Sequence, residues 1–161
     1  SLTSPSVSTL RKLAEALEIP ITAFFRWEPE RTDVVYCKSS DRTSVNIHNG
    51  IWEGLGGETF SGNLESFVLT LESGGSSGPQ QMMHTGHEFV YCLSGTLEYI
   101  VDGTVYILQP GDNLIFAAQI PHSWRTTDEQ VQVIIVVSGF LVDERPSEYH
   151  LMPDRNQADE Q

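Results

Sequence analysis

A chain of 161 residues can bury one core and a small appendage, but not two full domains. Its 39% hydrophobic and 19% charged residues exclude a disordered or fibrous protein, and apolar runs such as Val131–Val137 are too short to cross a bilayer. The formal net charge is −13, and residues 33–161 carry five Lys or Arg against eighteen Asp or Glu, so we do not expect this chain alone to bind nucleic acid or a membrane.

The first predicted element is an amphipathic helix. Its apolar positions follow the helical spacing of i, i+3, i+4 and i+7: Leu10, Leu13, Ala14 and Leu17. Ser6 is the expected N-cap, and the helix should end near Ile19 because Pro20 follows. A second short helix is predicted at Thr22–Phe25. Two such short helices cannot cover their apolar faces alone. Either they dock on the next domain or helices preceding Ser1 are missing from this chain, and we expect the second.

After a predicted linker at residues 28–32, the hydrophobic period changes from 3.6 to 2, which indicates strands. The predicted strands are Val34–Cys37, Ser44–His48, Leu64–Leu71, Glu88–Leu93, Thr96–Val101, Thr104–Leu108, Asn113–Phe116 and Val131–Val137. Asp102-Gly103 between two of them predicts a tight hairpin, and the Gly/Ser-rich Ser73–Gly78 predicts a loop. Many short strands without intervening helices predict a β-sandwich or barrel.

The resulting domain plan has four parts. Residues 1–28 form the helical piece, 29–42 the linker and first strand, 43–142 the β domain, and 143–161 a polar, acidic tail. Tyr149, Leu151 and Met152 are the tail residues that could hold part of it against the domain. The two cysteines, Cys37 and Cys92, are too few for a disulfide framework, so we expect a reducing cytoplasm and buried, unreactive thiols.

The candidate functional site of the sequence consists of His84, Glu88 and His122. A His and a Glu four apart on extended backbone project to the same side of a sheet. One more His from a distant strand completes three ligands on one face, the arrangement that holds Fe(II) with positions open for substrate or oxygen. The same donors suit Mn, Ni, Zn or Co, so the ligand set leaves the metal undecided.

These residues resemble the two motifs of the cupin family. His84, Glu88 and Gly95 fit the first motif, and Pro110-Gly111-Asp112 followed by Pro121-His122 fits the second. The resemblance covers residues 33–140 and implies a double-stranded β-helix, or jelly-roll barrel. The sequence departs from the metal-binding pattern at Met82, where such cupins usually have a first histidine. The remaining three ligands resemble those of the iron-dependent hydroxypropylphosphonate epoxidase (HppE).

The same motif also fits a cupin that keeps its polar residues only as a scaffold for an organic ligand. Trp124 shares the face of His122 by alternation and is predicted either to line the pocket or to be a core aromatic residue. Arg125 is predicted to meet a ligand carboxylate or to form a surface salt bridge. His87 should face away from Glu88 unless Gly86 makes a bulge.

The other two histidines, His48 and His150, have no partner pattern and are predicted to be ordinary surface residues.

Residues 1–25 resemble the last two helices of an XRE-type (lambda-repressor-like) helix-turn-helix domain. The resemblance lies in the order of Pro-Ser, Thr-Leu, a Leu-Ala-x-Ala-Leu helix and a terminal Phe pair. In that family the recognition helix precedes this segment, so it would be missing from this chain. Together, the two resemblances imply a homodimeric XRE–cupin transcriptional regulator.

The sequence is therefore compatible with three functions of the whole chain. In the first, the cupin barrel senses a small-molecule effector in a pocket lined by His84, Glu88, His122 and Trp124, with or without a divalent metal at the first three. DNA is then contacted only through the missing recognition helix. In the second, the same residues hold the iron of a mononuclear non-heme oxygenase. In the third, the site is vestigial and the barrel serves dimerisation.

Overall fold

The computed structural model describes residues 7–17, 31–126, 129–141 and 144–151. The chain divides into two compact units, Ser1–Glu30 and Arg31–Gln161. The described element of the first unit is helix α1, Val7–Leu17, in agreement with the apolar spacing. The predicted cap at residue 6, the helix end near residue 19 and the helix at 22–25 lie outside the described residues.

The second unit consists mainly of antiparallel β-strands. They are β1 (Ser44–Ile47), β2 (Gly50–Gly54), β3 (Leu64–Leu71), β4 (His87–Ser94), β5 (Leu97–Val101), β6 (Thr104–Leu108), β7 (Asn113–Ala117), β8 (His122–Arg125) and β9 (Val131–Ser138), and helix α2 (Pro146–Leu151) follows them. One sheet has the strand order β1-β2-β3-β9-β4-β7, and the other has the order β6-β5-β8. Short 3-10 turns occur at Ser39–Asp41 and Gly57–Thr59. The predicted mainly-β fold is confirmed.

The strands form where β-branched and aromatic residues alternate between a buried and a more open face. In β9, Val131, Val133, Ile135 and Val137 are all fully buried, and the residues between them are half-buried. The inward residues of both sheets contribute to a single core cluster, which includes Leu69 from the larger sheet. The two sheets therefore form the two walls of one barrel-like core.

The predicted hairpin connects β5 and β6. Asp102 and Gly103 both have positive φ, 49° and 75°, as a two-residue turn between twisted strands requires. The register pairs Val101 with Thr104 across this turn. The Asp-Gly signal therefore predicted the turn from local backbone preference alone.

The structure differs from the predicted elements in three places. Residues 34–37 do not form a strand: Val34 and Tyr36 are more than four-fifths exposed, and β1 is the first strand of the described residues. Strands β2 and β8 were not predicted, because one is bounded by glycines and the other is short and polar. Part of the segment predicted as a tail folds into α2.

The two sheets bring segments that are distant in the chain to the same region of the barrel interior. Strand β4 belongs to the larger sheet and β8 to the smaller one. A bridge between Met82 and His122 joins the loop before β4 to the start of β8. Among the described helices, none is long and apolar enough to cross a membrane.

Candidate metal centre

His84 and Glu88 lie on either side of a tight turn that leads into β4. The N–H of His84 donates to the oxygen of Ala118 at 3.0 Å, and the N–H of Ala118 donates to the oxygen of Gly86 at 3.0 Å. Gly86 has a φ of +88°, and a Cβ at this position would lie 2.4 Å from the oxygen of Ser138. The turn therefore requires glycine, and it directs both predicted side chains into the interior, where they are buried.

His122 reaches the same point from the other sheet. It is the first residue of β8, and two backbone hydrogen bonds of 2.8 and 3.0 Å join it to Met82. Its ring is held by a 2.8 Å hydrogen bond from Nδ1 to the oxygen of Ile120. The structure therefore brings together the three residues that the sequence predicted as ligands.

Helix α2 adds a fourth side chain, His150. The prediction that His150 is a surface residue is wrong, since only 7% of it is exposed. Its ring stacks on Trp52, with ring centroids 4.9 Å apart and an angle of 26° between the planes. The helix is held in part by Glu65, whose carboxylate accepts a 2.8 Å hydrogen bond from the N–H of Ser147. No ligand spacing in the sequence signals His150, because its position depends on these tertiary contacts.

The three histidines surround one carboxylate oxygen. The Nε2 atoms of His84, His122 and His150 lie 3.4, 3.5 and 3.6 Å from Oε2 of Glu88. One donor atom from each of the four residues falls within 4.8 Å of all the others. All four side chains have no solvent exposure, so this cluster of four residues is closed to water.

Hydrogen bonds around the cluster fix the orientation of its donor atoms. The Nδ1 atoms of His84 and His122 lie 3.0 Å from Thr85 O and 2.8 Å from Ile120 O, and because a carbonyl can only accept, each Nδ1 carries the proton. The Nε2 atoms are then directed at Glu88. The hydroxyl of Tyr99 donates to the other carboxylate oxygen of Glu88. Such outer contacts are typical of metal ligands.

The charges of the cluster are set by burial and by the four residues themselves. Burial raises the pKa of Glu88, but its contacts with the histidines outweigh burial and hold the pKa below its usual value. Burial lowers the pKa of His122 and lowers that of His150 to about 4, against the attraction of Glu88. For His84, burial lowers the pKa, but contacts with Glu88 and the hydrogen bond to Thr85 outweigh it, and the pKa is raised. The cluster is therefore an ionised carboxylate beside at least two neutral imidazoles.

Known proteins resemble this chain in two ways, and the first concerns its barrel. Residues 67–138 match the Cupin_2 family, described as a cupin domain. The crystal structure of Fe(II) HppE, 15% identical, has a TM-score of 0.58 over 82% of this chain and 75% of that chain, a likeness of fold. The matched segment contains His84, Glu88 and His122, whereas His150 follows it.

The second resemblance is to transcriptional regulators. The HTH-type transcriptional regulator PuuR of Escherichia coli (strain K12) is 28% identical over 142 residues, which cover 82% of this chain and 71% of PuuR. The HTH-type transcriptional regulator SutR of the same strain is 28% identical over 127 residues, covering 79% of this chain and 67% of SutR. The resemblances predicted from the sequence, to helix-turn-helix regulators and to the cupin fold, are confirmed.

The residues of the cluster fit a divalent metal ion. Four donors about 2.1 Å from one ion in tetrahedral geometry are about 3.4 Å apart, close to the three distances measured to Glu88. Neutral imidazoles and a carboxylate are the protonation states that metal binding requires. His122 Nε2 and both ring nitrogens of His150 are buried without a hydrogen-bond partner in the described part of the chain. An ion would satisfy the two Nε2 atoms, so the cluster could hold a metal.

Four other residues named in the predictions lie in the core or at the surface. Met82, at the place of the missing histidine, is buried in the hydrophobic core beside the cluster. Trp124 is also part of that core, 1% exposed, on the same face of β8 as His122. His87 is exposed and faces away from Glu88, as regular alternation predicted. His48 is exposed, as predicted.

Arg125 and the cysteines lie outside the cluster. Arg125 forms an exposed salt bridge with Glu98, which agrees with the second of the two predictions for this residue. Cys92 is buried in β4, and burial raises the pKa of its thiol, so it is a small core residue. Cys37 is half-buried and outside the strands. An open depression of about 200 Å³ lies beside His84, and its lining residues are Met83, His84, Thr85, Gln119 and Glu144.

Proposed function

We propose that this chain is the ligand-sensing and dimerising part of a cytoplasmic, homodimeric XRE–cupin transcriptional regulator. The observation that carries the proposal is the similarity to PuuR, which covers 82% of the chain and therefore extends beyond the cupin domain at residues 67–138. In the proposal, base contacts belong to a recognition helix that precedes Ser1 in the full-length regulator. The chain's net charge of −13 supports this division, because DNA binding requires Lys and Arg on the contact surface.

The proposed effector site is the interior of the cupin barrel. His84, Glu88 and His122 would hold a divalent metal, which when bound supplies a Lewis-acidic centre for an oxygen of the effector. Trp124 would line the same site. Its indole N–H is buried and has no hydrogen-bond partner in the described residues, so it can donate to a bound molecule.

The effector would act by favouring one arrangement of the dimer over another. A ligand shifts an equilibrium only by the difference between its affinities for the two arrangements. Coupling between an effector site and a distant site typically changes affinity by about 5–150-fold. The proposal therefore predicts an effect of this size on operator affinity.

The test is an operator-binding titration with the full-length, metal-loaded regulator and candidate metabolites. We expect one class of metabolite to change operator affinity in the wild type and in His48→Ala, whose altered side chain is exposed. In His122→Ala the same metabolite should have no effect, while operator affinity without it is kept. If no operator DNA is bound under any condition, the regulator proposal is wrong.

A mononuclear non-heme iron oxygenase is the second candidate, favoured by two histidines and one carboxylate that lie close together and by the fold shared with Fe(II) HppE. Oxygen uptake after anaerobic Fe(II) loading discriminates. Uptake coupled to product formation, and abolished in Glu88→Ala, would favour the enzyme.

The third candidate, a vestigial site in a dimerisation domain, predicts no bound metal and no ligand. Elemental analysis of the native protein tests the first point. A thermal-shift screen tests the second, since a ligand that binds only the folded state raises the melting temperature. Stoichiometric metal or a metabolite-dependent shift would exclude this candidate.

A further inference from the structure

The cupin barrel itself supplies only three of the four donors in the cluster. The place of the first motif histidine is taken by Met82, a thioether that is a poor ligand for hard or borderline divalent ions. Met82 is buried within the hydrophobic core and pairs by its backbone with His122. A tetrahedral site with protein donors alone therefore needs a ligand from outside the barrel.

His150 has the position of such a ligand. Its Nε2 atom is 3.6 Å from Oε2 of Glu88, nearly the same separation as for His84 and His122, at 3.4 and 3.5 Å. Neither ring nitrogen of His150 has a hydrogen-bond partner among the described residues, although the ring is buried. A buried polar group without a partner costs free energy, and coordination to a metal through Nε2 removes part of this cost.

Contacts that involve no metal hold His150 in this position. The N–H of Ser147 donates to the buried carboxylate of Glu65 at 2.8 Å, which anchors the first turn of α2 to β3. Just before the helix, Glu144 accepts hydrogen bonds from the hydroxyl of Thr85 and, at 3.3 Å, from its N–H. Thr85 also accepts the Nδ1–H of His84 through its carbonyl oxygen. The segment with His150 is thus joined to the turn that carries another ligand.

We propose that His150 is the fourth ligand of the metal held by His84, Glu88 and His122, supplied by α2 in place of the histidine missing at Met82. This inference rests on the metal site of the proposed function. The ion is a divalent first-row metal that accepts three imidazoles and one carboxylate in near-tetrahedral geometry, such as Zn²⁺ or Co²⁺. Metal binding then fastens residues 144–151 to the barrel, and an exogenous ligand at the fourth position must displace His150.

The experiment is Co²⁺ titration of the metal-free full chain, followed by visible absorption and by competition with a chelator. Wild type and the control His48→Ala should bind one equivalent, with the intense visible bands of four-coordinate Co²⁺. In His150→Ala we expect affinity to fall by about 100-fold or more, since loss of outer contacts alone costs about 10–100-fold, and the intense bands to be lost. His84→Ala should lose binding as well, and circular dichroism checks that each variant is folded.

The outcomes separate this inference from the proposed function. If His84→Ala loses Co²⁺ while His150→Ala keeps the wild-type affinity and spectrum, the barrel site stands and the assignment of His150 is overturned. If the wild type binds no metal, both the barrel metal site and the assignment of His150 are overturned. Hydrogen exchange of the wild-type protein gives a second test without a variant: Zn²⁺ should slow exchange in residues 144–151, and unchanged exchange there contradicts the inference.

Discussion

Tyr99→Phe removes one hydroxyl from the barrel interior while leaving the ring in place. Tyr99 is fully buried in β5, and its hydroxyl donates to Oε1 of Glu88, the oxygen that does not face the histidines. Its ring packs near Phe116 at a centroid distance of 5.6 Å, a contact that phenylalanine would keep. The substitution therefore isolates the contribution of one hydrogen bond to a buried carboxylate.

The expected cost follows from the charge and burial of Glu88. A hydrogen bond to a charged group contributes about 1.5–3 kcal/mol, and Glu88 has no solvent that could replace the hydroxyl. For a chain of this size, such a loss of unfolding free energy corresponds to a fall in melting temperature of about 3–12 °C. Metal affinity should fall by about 10–100-fold, because the hydroxyl orients the carboxylate ligand.

Tyr106→Phe provides a matched control. Tyr106 lies directly opposite Tyr99 in the β5–β6 register but is 42% exposed. Urea unfolding of both variants measures the change in stability, and chelator competition measures metal affinity. If Tyr99→Phe changes both quantities no more than Tyr106→Phe does, the hydrogen bond does not orient Glu88 and the reasoning is refuted.

Three other predictions concern the fourth ligand, the turn and the surface. Adding Met82→His to His150→Ala should restore the intense Co²⁺ bands, because position 82 is buried beside the cluster; absorption that stays weak would contradict this expectation. In urea titrations, Gly86→Ala should lower the free energy of unfolding by at least about 1 kcal/mol more than Gly78→Ala. Both glycines have φ near +90°, but of the two only Gly86 is crowded by backbone atoms, so equal losses would refute the explanation. Arg125→Ala should change stability by no more than about 1 kcal/mol and leave effector binding in calorimetry unchanged, because its salt bridge is exposed; a loss of effector affinity would instead support a ligand contact.

Local sequence patterns were sufficient for much of the barrel. The predicted strands at Leu64–Leu71 and Thr104–Leu108 agree with the structure at both ends. Alternating β-branched and aromatic residues favour the strand conformation. Strand β8 was not predicted, because its four residues include a His, a Ser and an Arg and have no β pattern of their own. They become a strand through pairing with β5, which contributes Val101 opposite His122.

The sequence by itself determined the three-residue part of the site, and the tertiary structure decided the fourth. His84 and Glu88 are close in the chain, and the spacing of the two cupin motifs linked them to His122, so their proximity could be predicted from local geometry and the resemblance. His150 could not be predicted in this way, because its position depends on the docking of α2 through Glu65. That docking involves contacts between distant segments, whose free energy no local pattern reports. The closed, four-residue cluster is therefore a property of the folded chain.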